Sequence, residues 1–365
     1  MSDAPASAAP LPDLKWAPVV AGFDQPTDVV TLEGDSRKFV TEKTGLVRVV
    51  KNGRVLRTPY LDLTSKVSTS GERGLLSMVF HPNFAVRHQF WVFYTALNGD
   101  LVVARGRAAS ATAATARPHL KQVLRIPHRR EDNHNGGQLA FGNDRMMYIS
   151  TGDGGGSGDP HDHARKKTSL KGKILRINPK RECGNKRYCI PKSNPFVGKA
   201  GRNEIWLLGA RNPWRIHIDS ATGRLWVADV GQGAREEVTV VRPKPARRNL
   251  GWPCREGDLS YDPSRCTGGP RLAPRFVIPH DTGESITGGI VYRGGFHSSL
   301  KGAYIFGDFV NGRVWAYRPN AGVNLQSKTL GPSRYAGPTA FAQTNAGRVL
   351  ALTYDGTLWR LKPTG

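Results

Sequence analysis

Apolar positions in this chain come in short runs. β-branched and aromatic residues alternate with polar ones, break at glycine, aspartate or asparagine, and begin again. The phrase reads KFVTEKTGLVRVV at Lys38–Val50, MMYISTGDGGG at Met146–Gly156 and RLWVADVGQGAREEVTVV at Arg224–Val241. It returns as AYIFGDFVNGRVWAY at Ala303–Tyr317 and RVLALTYDGTLWRL at Arg348–Leu361. A period of two with Gly, Asp and Asn punctuation predicts antiparallel hairpins, and convincing helical periodicity is scarce. Because the phrase persists nearly end to end, radial repetition in an all-β propeller is expected, in preference to a β-sandwich or a two-domain β protein. In a propeller the loops converge on a central channel, so residues far apart in sequence can share one site.

Composition supports that reading in part. The 42 glycines and 25 prolines suit many tight turns, and 365 residues of this kind can form one domain. Residues 1–14 are expected to be a disordered lead-in and residues 15–365 a single domain. The opening MSDAPASAAPLP lacks the basic and apolar regions of a signal peptide. No apolar run approaches the ~18 residues a membrane span requires. The four cysteines fall into two close pairs, Cys183/Cys189 and Cys254/Cys266, with no second CxxC or histidine set for zinc. Local disulfides are expected, and with them a periplasmic or secreted location. The net charge of +24 invites a nucleic-acid partner, but the cations are scattered and no nucleic-acid-binding motif accompanies them. An anionic surface, glycan or ligand fits such a charge equally well.

The richest chemistry lies in Asn133–Asp159, NHNGGQLAFGNDRMMYISTGDGGGSGD. His134 and Asp153 stand at the two mouths of one predicted strand pair, 19 residues apart. A hairpin return of that length brings an imidazole to a carboxylate, which is how a histidine becomes an oriented general base. Asp159, His161, Asp162 and His163 have metal-like spacing but read as a solvated turn. His81, in FHPNF, reads as a packing or turn residue.

Eight motifs then occur in order: GERGLLSMVFHPNF (Gly71–Phe84), HNGGQLAFGNDRMMYISTGDGGGSGDP (His134–Pro160), LKGKILRINP (Leu170–Pro179), GARNPWRIHID (Gly209–Asp219), WVADVGQGAREEV (Trp226–Val238), NLGWP (Asn249–Pro253), GGIVYRGG (Gly288–Gly295) and GAYIFGDFVNGRVWAY (Gly302–Tyr317). Together they resemble the glucose/sorbosone dehydrogenase family. The resemblance implies a six-bladed β-propeller of four-stranded antiparallel blades. It also implies pyrroloquinoline quinone (PQQ) held across the channel mouth with a calcium ion, and oxidation of an aldose at C1 to the lactone. A small sugar would be the substrate, and electrons would leave to an external acceptor. In this likeness His134 is the base, Asp153 its orienting carboxylate, and Arg211 and Asn212 the cofactor-contacting pair, with Arg211 also partnering a reduced oxygen. Arg293 and Arg334 match further cofactor contacts. The carbonyls of Gly231 and Gln232 match ligands of the cofactor-linked calcium, and Glu237 with the Leu250 carbonyl match a second calcium site.

This chain also departs from the family pattern. Glu72 stands where the family has a cofactor-contacting glutamine, Arg293 where it has a lysine, Ala336 where it has an arginine, and Asn133 where it has an acid. A carboxylate at position 72 facing a tricarboxylate would repel it unless protonated or paired. The competing reading is a non-catalytic secreted propeller that binds glycan or protein. A calcium-dependent lactonase-like hydrolase is a third, weaker one.

Overall fold

The computed structural model describes residues 11–244, 248–267, 269–319, 322–324 and 337–363. Six antiparallel sheets follow one another around a central axis, forming the six-bladed propeller. Blade one comprises Pro26–Thr31, Lys38–Glu42 and Leu46–Lys51, with the short strands Arg54–Val55 and Leu61–Asp62 on its outer edge. Blade two is built from Leu75–Phe80, Gln89–Thr95, Leu101–Arg107 and Lys121–Ile126. Leu139–Phe141, Met147–Thr151, Lys173–Ile177 and Ile205–Leu208 make blade three, and Arg215–Ile218, Leu225–Asp229, Arg235–Val241 and Phe276–Pro279 make blade four. Blade five holds Ile286–Val291, Tyr304–Asp308, Val314–Arg318 and Gly322–Asn324.

The last blade closes the ring. Pro338–Gln343, Val349–Thr353 and Thr357–Leu361 are completed by Trp16–Ala21 from the other end of the chain, which pairs antiparallel with Thr357–Leu361. The packed chain starts slightly before the expected boundary at residue 15, because Leu14 is buried and Leu11 half-buried against blades five and six.

Successive side chains on a strand face opposite ways, and here both faces meet a neighbouring blade. Phe90 and Val92 pack toward blade one, while Trp91 and Phe93 pack toward blade three. Tyr304 and Phe306 likewise serve the interface with blade four, and Ile305 the interface with blade six. Hence several middle strands, such as Met147–Thr151, Leu225–Asp229 and Tyr304–Asp308, are buried on both faces, where half-buried alternation had been the sequence expectation. The six hydrophobic clusters coincide with the six interfaces between blades.

At the axis one side chain ties most of the ring together. Arg215 leaves the inner strand of blade four and is buried in the channel. Its Nε donates to the Thr339 carbonyl of blade six at 3.0 Å, and Nη1 donates to Gln138 Oε1 of blade three at 2.8 Å. Its Nη2 donates to the Leu76 carbonyl of blade two at 3.2 Å and to the Thr27 carbonyl of blade one. A planar guanidinium offers five donors in a fixed fork that spans several blades at once, where an ammonium has three donors on a single nitrogen. Burial lowers its pKa to about 10, while the buried Asp28 beside it favours the charged form.

Both expected disulfides form, Cys183–Cys189 and Cys254–Cys266. The first staples the loop between the last two strands of blade three. That loop is anchored on Glu204, which accepts from Lys186 Nζ at 2.8 Å, Tyr188 Oη at 2.6 Å and Arg202 Nε at 3.3 Å. Burial opposes ionisation of Glu204, but these bonds prevail and hold its pKa down to about 2.

Two outcomes follow for stability. Arg215→Ala removes the cation beside buried Asp28 and the donor it gives to the Thr27 and Leu76 carbonyls, and is expected to cost about 3–5 kcal/mol, read as a lower midpoint of denaturant unfolding, with Arg215→Lys recovering only part. For Glu204 the folded pKa lies below the ordinary value of 4.5. Its stabilisation is therefore present above that pH and is lost as pH falls toward about 2. Glu204→Gln is expected to lower the melting temperature at neutral pH, with the gap to wild type closing through that acidic window.

Candidate active site at the channel mouth

All six inner strands start at one end of the channel and run to the other. At the starting end a repeated device holds the blades in register. The second strand of a blade ends in a carboxylate, which grips the segment leading into that blade's inner strand. Glu42 accepts from Asp24 N at 3.1 Å in blade one. In blade four Asp229 accepts from Arg211 N at 2.9 Å and Asn212 N at 2.6 Å, and in blade five Asp308 accepts from Ser285 N at 2.7 Å. Burial raises the pKa of all three carboxyls, to about 7 for Asp229 and about 6 for Asp308.

In blade three the second strand ends at Thr151, and the carboxylate comes two residues later, at Asp153; the group it takes is an imidazole. His134 Nδ1 lies 2.7 Å from Asp153 Oδ1, with both side chains buried. The hairpin reading from sequence is the cause: Leu139 pairs with Ile149, so the residues flanking the two strands meet at one end. The approach is close enough that a Cβ on Gly152 would stand 2.0 Å from the His134 carbonyl oxygen. Trp252 Nε1 donates to Asp153 Oδ2 at 2.8 Å and Gly155 N donates to Oδ1 at 3.0 Å, so the carboxylate is fixed from several sides.

His134 itself sits in the left-handed region at φ 48°, uncommon for a residue with a Cβ. Glu72 holds it there, since its Oε2 accepts from His134 N at 2.8 Å and from Asn212 Nδ2 at 3.3 Å. Asn212 Oδ1 in turn accepts from Gly136 N at 3.0 Å. Glu72 and Asn212 also line a cavity of about 540 Å³ at this mouth, together with Lys43, Trp214, Phe309 and Tyr354. That volume suits a small molecule, and the aromatic walls suit a flat one.

Arg211 is buried next to this group. Its carbonyl accepts from Asp153 N at 2.7 Å, and its guanidinium carbon lies 5.6 Å from the Trp252 ring centre. Nη1 donates to the Val230 carbonyl at 3.1 Å and Nη2 to Gln232 Oε1 at 3.3 Å, while the buried Nε has no partner. The neighbouring turn spends its N–H groups on Glu256, whose Oε1 accepts from residues 232–235 at 2.7 to 3.1 Å. The carbonyls of Gly231 and Gln232 accept no hydrogen bond from the described residues. Glu237 pairs in register with Asp229, and burial with the nearby Asp229, Glu236 and Glu256 charges pushes its carboxyl well up. Leu250 lies on another segment, its N–H bonded to the Leu208 carbonyl at 2.8 Å. Among the described residues no cluster of three or more His, Cys, Asp or Glu is poised for a metal.

Arg293 is not part of this group. It follows the inner strand of blade five and so emerges at the opposite mouth, where it pairs with Asp219 through Nε at 2.7 Å and Nη2 at 2.6 Å. Arg334, like Ala336, lies outside the described residues. The 159–163 segment is a turn, with Pro160 exposed and His161, Asp162 and His163 half-buried, but Asp159 departs from the expected solvation. Asp159 is buried and accepts from His163 N and Ala164 N at 2.8 Å each, and Asp162 pairs with Arg165 at 2.6 Å. Beneath it Lys173 is sealed in, its Nζ donating to the carbonyls of His163, Ala164 and Lys171 at 2.6 to 2.8 Å. Burial brings its pKa down to about 7. His81 behaves as expected, with Nδ1 accepting from Asn83 N at 2.9 Å and its ring stacked on Trp91.

Sequence reasoning missed Lys43, Phe309, Tyr354 and Trp252. A usable signal was present for three of them. Lys43, Val230, Phe309 and Tyr354 each directly follow the second strand of a blade, and all four line the cavity.

Relatives match most of this chain in sequence. The HIPL1 protein of Arabidopsis thaliana is 30% identical over 358 residues, covering 78% of this chain and 51% of that protein. Hedgehog-interacting protein of Mus musculus is 28% identical over 315 residues, covering 80% and 42%. Aldose sugar dehydrogenase YliI of Escherichia coli (strain K12) is 27% identical over 272 residues, covering 73% and 66%. The chain spans about half the length of the first of these relatives, and less of the second. Its fold matches the PQQ-bound structure of an aldose sugar dehydrogenase from Streptomyces coelicolor with a TM-score of 0.71 at 23% identity, covering 97% of this chain and 100% of that one. The profile of the glucose/sorbosone dehydrogenase family matches residues 23–359, and the chain belongs to that family.

Proposed function

We propose that this mouth is the active site of a PQQ- and calcium-dependent dehydrogenase. It would oxidise an aldose at C1 to the lactone and pass electrons to an external acceptor. The observation that carries the reading is the buried His134–Asp153 pair, tied through Glu72 to the wall of a cavity of small-molecule size. The buried Nε of Arg211 and the carbonyls of Gly231 and Gln232, none with a hydrogen-bond partner among the described residues, support it. The first suits an anionic cofactor, and the second a hard cation. Arg211, Asn212, Lys43 and the aromatic walls would hold the quinone; Gly231 and Gln232 would hold its calcium. Glu237 and the Leu250 carbonyl remain our candidates for a second calcium. When bound, the quinone supplies the acceptor for the hydride from C1.

The protein's own part is proton handling and orientation. With Nδ1 committed to Asp153, Nε2 is the basic nitrogen, and it takes the proton of the substrate hydroxyl. Asp153 then stabilises the imidazolium, held in place by Trp252 and Gly155. Glu72 acts on geometry by fixing the backbone of His134, at the cost of a negative charge facing an anionic cofactor. The two disulfides support a secreted or periplasmic setting.

A second reading is favoured by one observation. Relatives of higher identity than YliI include Hedgehog-interacting protein, a name that denotes protein binding. In that reading the propeller retains the dyad as structure and binds a protein or glycan.

The readings separate in a titration of the purified protein with PQQ and calcium, followed by dye-linked oxidation of an aldose panel. Saturable binding is expected, with turnover that His134→Ala lowers by about 10²–10⁴-fold. Absence of PQQ binding in both wild type and Glu72→Gln would leave only the binding propeller. Glu72→Gln keeps an acceptor for His134 N and removes the charge. It is expected to tighten PQQ several-fold in equilibrium fluorescence titration, whereas an unchanged or weaker Kd would refute the electrostatic role given to Glu72.

A further inference from the structure

Half of the net positive charge is concentrated on two adjoining blade edges. Between Asp100 and Arg130, seven Lys and Arg residues stand against the single carboxylate of Asp100. From Lys180 to Arg202, another seven stand against Glu182 alone. The first segment includes the outermost strand of blade two, and the second is the disulfide-stapled loop of blade three.

Contacts join them into one surface. Lys121 lies opposite Arg105 in register, Arg105 Nη2 reaches Glu182 Oε1 at 3.2 Å, and Arg187 Nη1 donates to the Gln122 carbonyl at 3.2 Å. Some cations serve the fold: Lys186 and Arg202 pair with Glu204, and Arg125 and Arg129 with Asp100. Lys121, Arg181, Arg187 and Lys192 are exposed and form no ion pair with any described residue. Glu204 and the disulfide hold the loop, so these charges are displayed on a fixed frame.

We propose that this face docks an acidic polysaccharide bearing regularly spaced carboxylates. Unpaired exposed cations gathered on two joined blade edges suit an extended polyanion, and the attraction is electrostatic and salt-sensitive. Single-stranded nucleic acid is disfavoured because the loop aromatics Tyr188 and Phe196 are buried, leaving no stacking platform there. The disulfides favour a setting outside the reducing cytosol, where acidic glycans are among the polyanions a protein can meet. The proposal is independent of whether the channel mouth is catalytic.

The test is binding of the full chain to immobilised polygalacturonate from about 0.05 to 0.2 M salt. The triple variant K121E/R187E/K192E is expected to bind at least about tenfold more weakly and with a shallower salt dependence. A control with the same change in net charge, K51E/R54E/R57E on the exposed edge of blade one, is expected to stay within about twofold. Should the reversal variant not fold, K121Q/R187Q/K192Q is measured instead, with a smaller loss of the same sign. Equal loss in the control would overturn the proposal, because net charge alone would then explain binding. So would absence of wild-type binding, or displacement of the polysaccharide by duplex DNA at a lower concentration of charge.

Discussion

A carboxylate at the end of a blade's second strand, gripping the segment that enters the inner strand, is the constraint on which this molecule's chemistry rests. Glu42, Asp229 and Asp308 make that grip on backbone N–H groups. In blade three Asp153, two residues past the strand end at Thr151, makes a comparable grip on the imidazole of His134 at 2.7 Å. A blade-edge carboxylate thereby orients a buried imidazole, without a new fold or an additional loop. The device is costly because burial disfavours each charged carboxylate, as the raised values of Asp229 and Asp308 show.

The grip only works if the blades are held in a fixed ring, and two features supply that. Side chains on both faces of each middle strand feed the interfaces on either side. Arg215 links blades one, two, three and six to blade four at the axis. It stands just below Asn212 and Trp214, so the floor of the cavity and the ring's central tie are one stretch of chain. A substitution at Arg215 should therefore disturb the site as well as the fold.

Much of this was legible in the sequence, and the limits have physical causes. Recurring Gly- and Asp-punctuated strand phrases disclosed the propeller, and the 19-residue hairpin return disclosed the dyad. Half-buried alternation was the wrong picture for the middle strands because a propeller buries both faces. Arg293 was misplaced for a related reason: residues before an inner strand face one mouth, and those after it face the other. VYRGG comes after, which sends Arg293 to Asp219. Lys43 escaped notice because nothing in VTEKTG marks it locally; only its position after Glu42, shared with Val230 and Phe309, places it in the cavity. The buried Asp159 looked solvated because its partners are backbone N–H groups, which no side-chain pattern reveals.

The central claim is that Asp153 makes His134 a working base rather than a fold contact. Its most direct test is steady-state oxidation by Asp153→Asn at saturating PQQ and calcium, with PQQ affinity measured on the same protein. The account predicts a fall in kcat of about 10²–10⁴-fold with nearly unchanged PQQ binding, since the amide no longer fixes the tautomer or balances the imidazolium. Turnover within about twofold of wild type would contradict it, because the expected loss is two orders of magnitude or more.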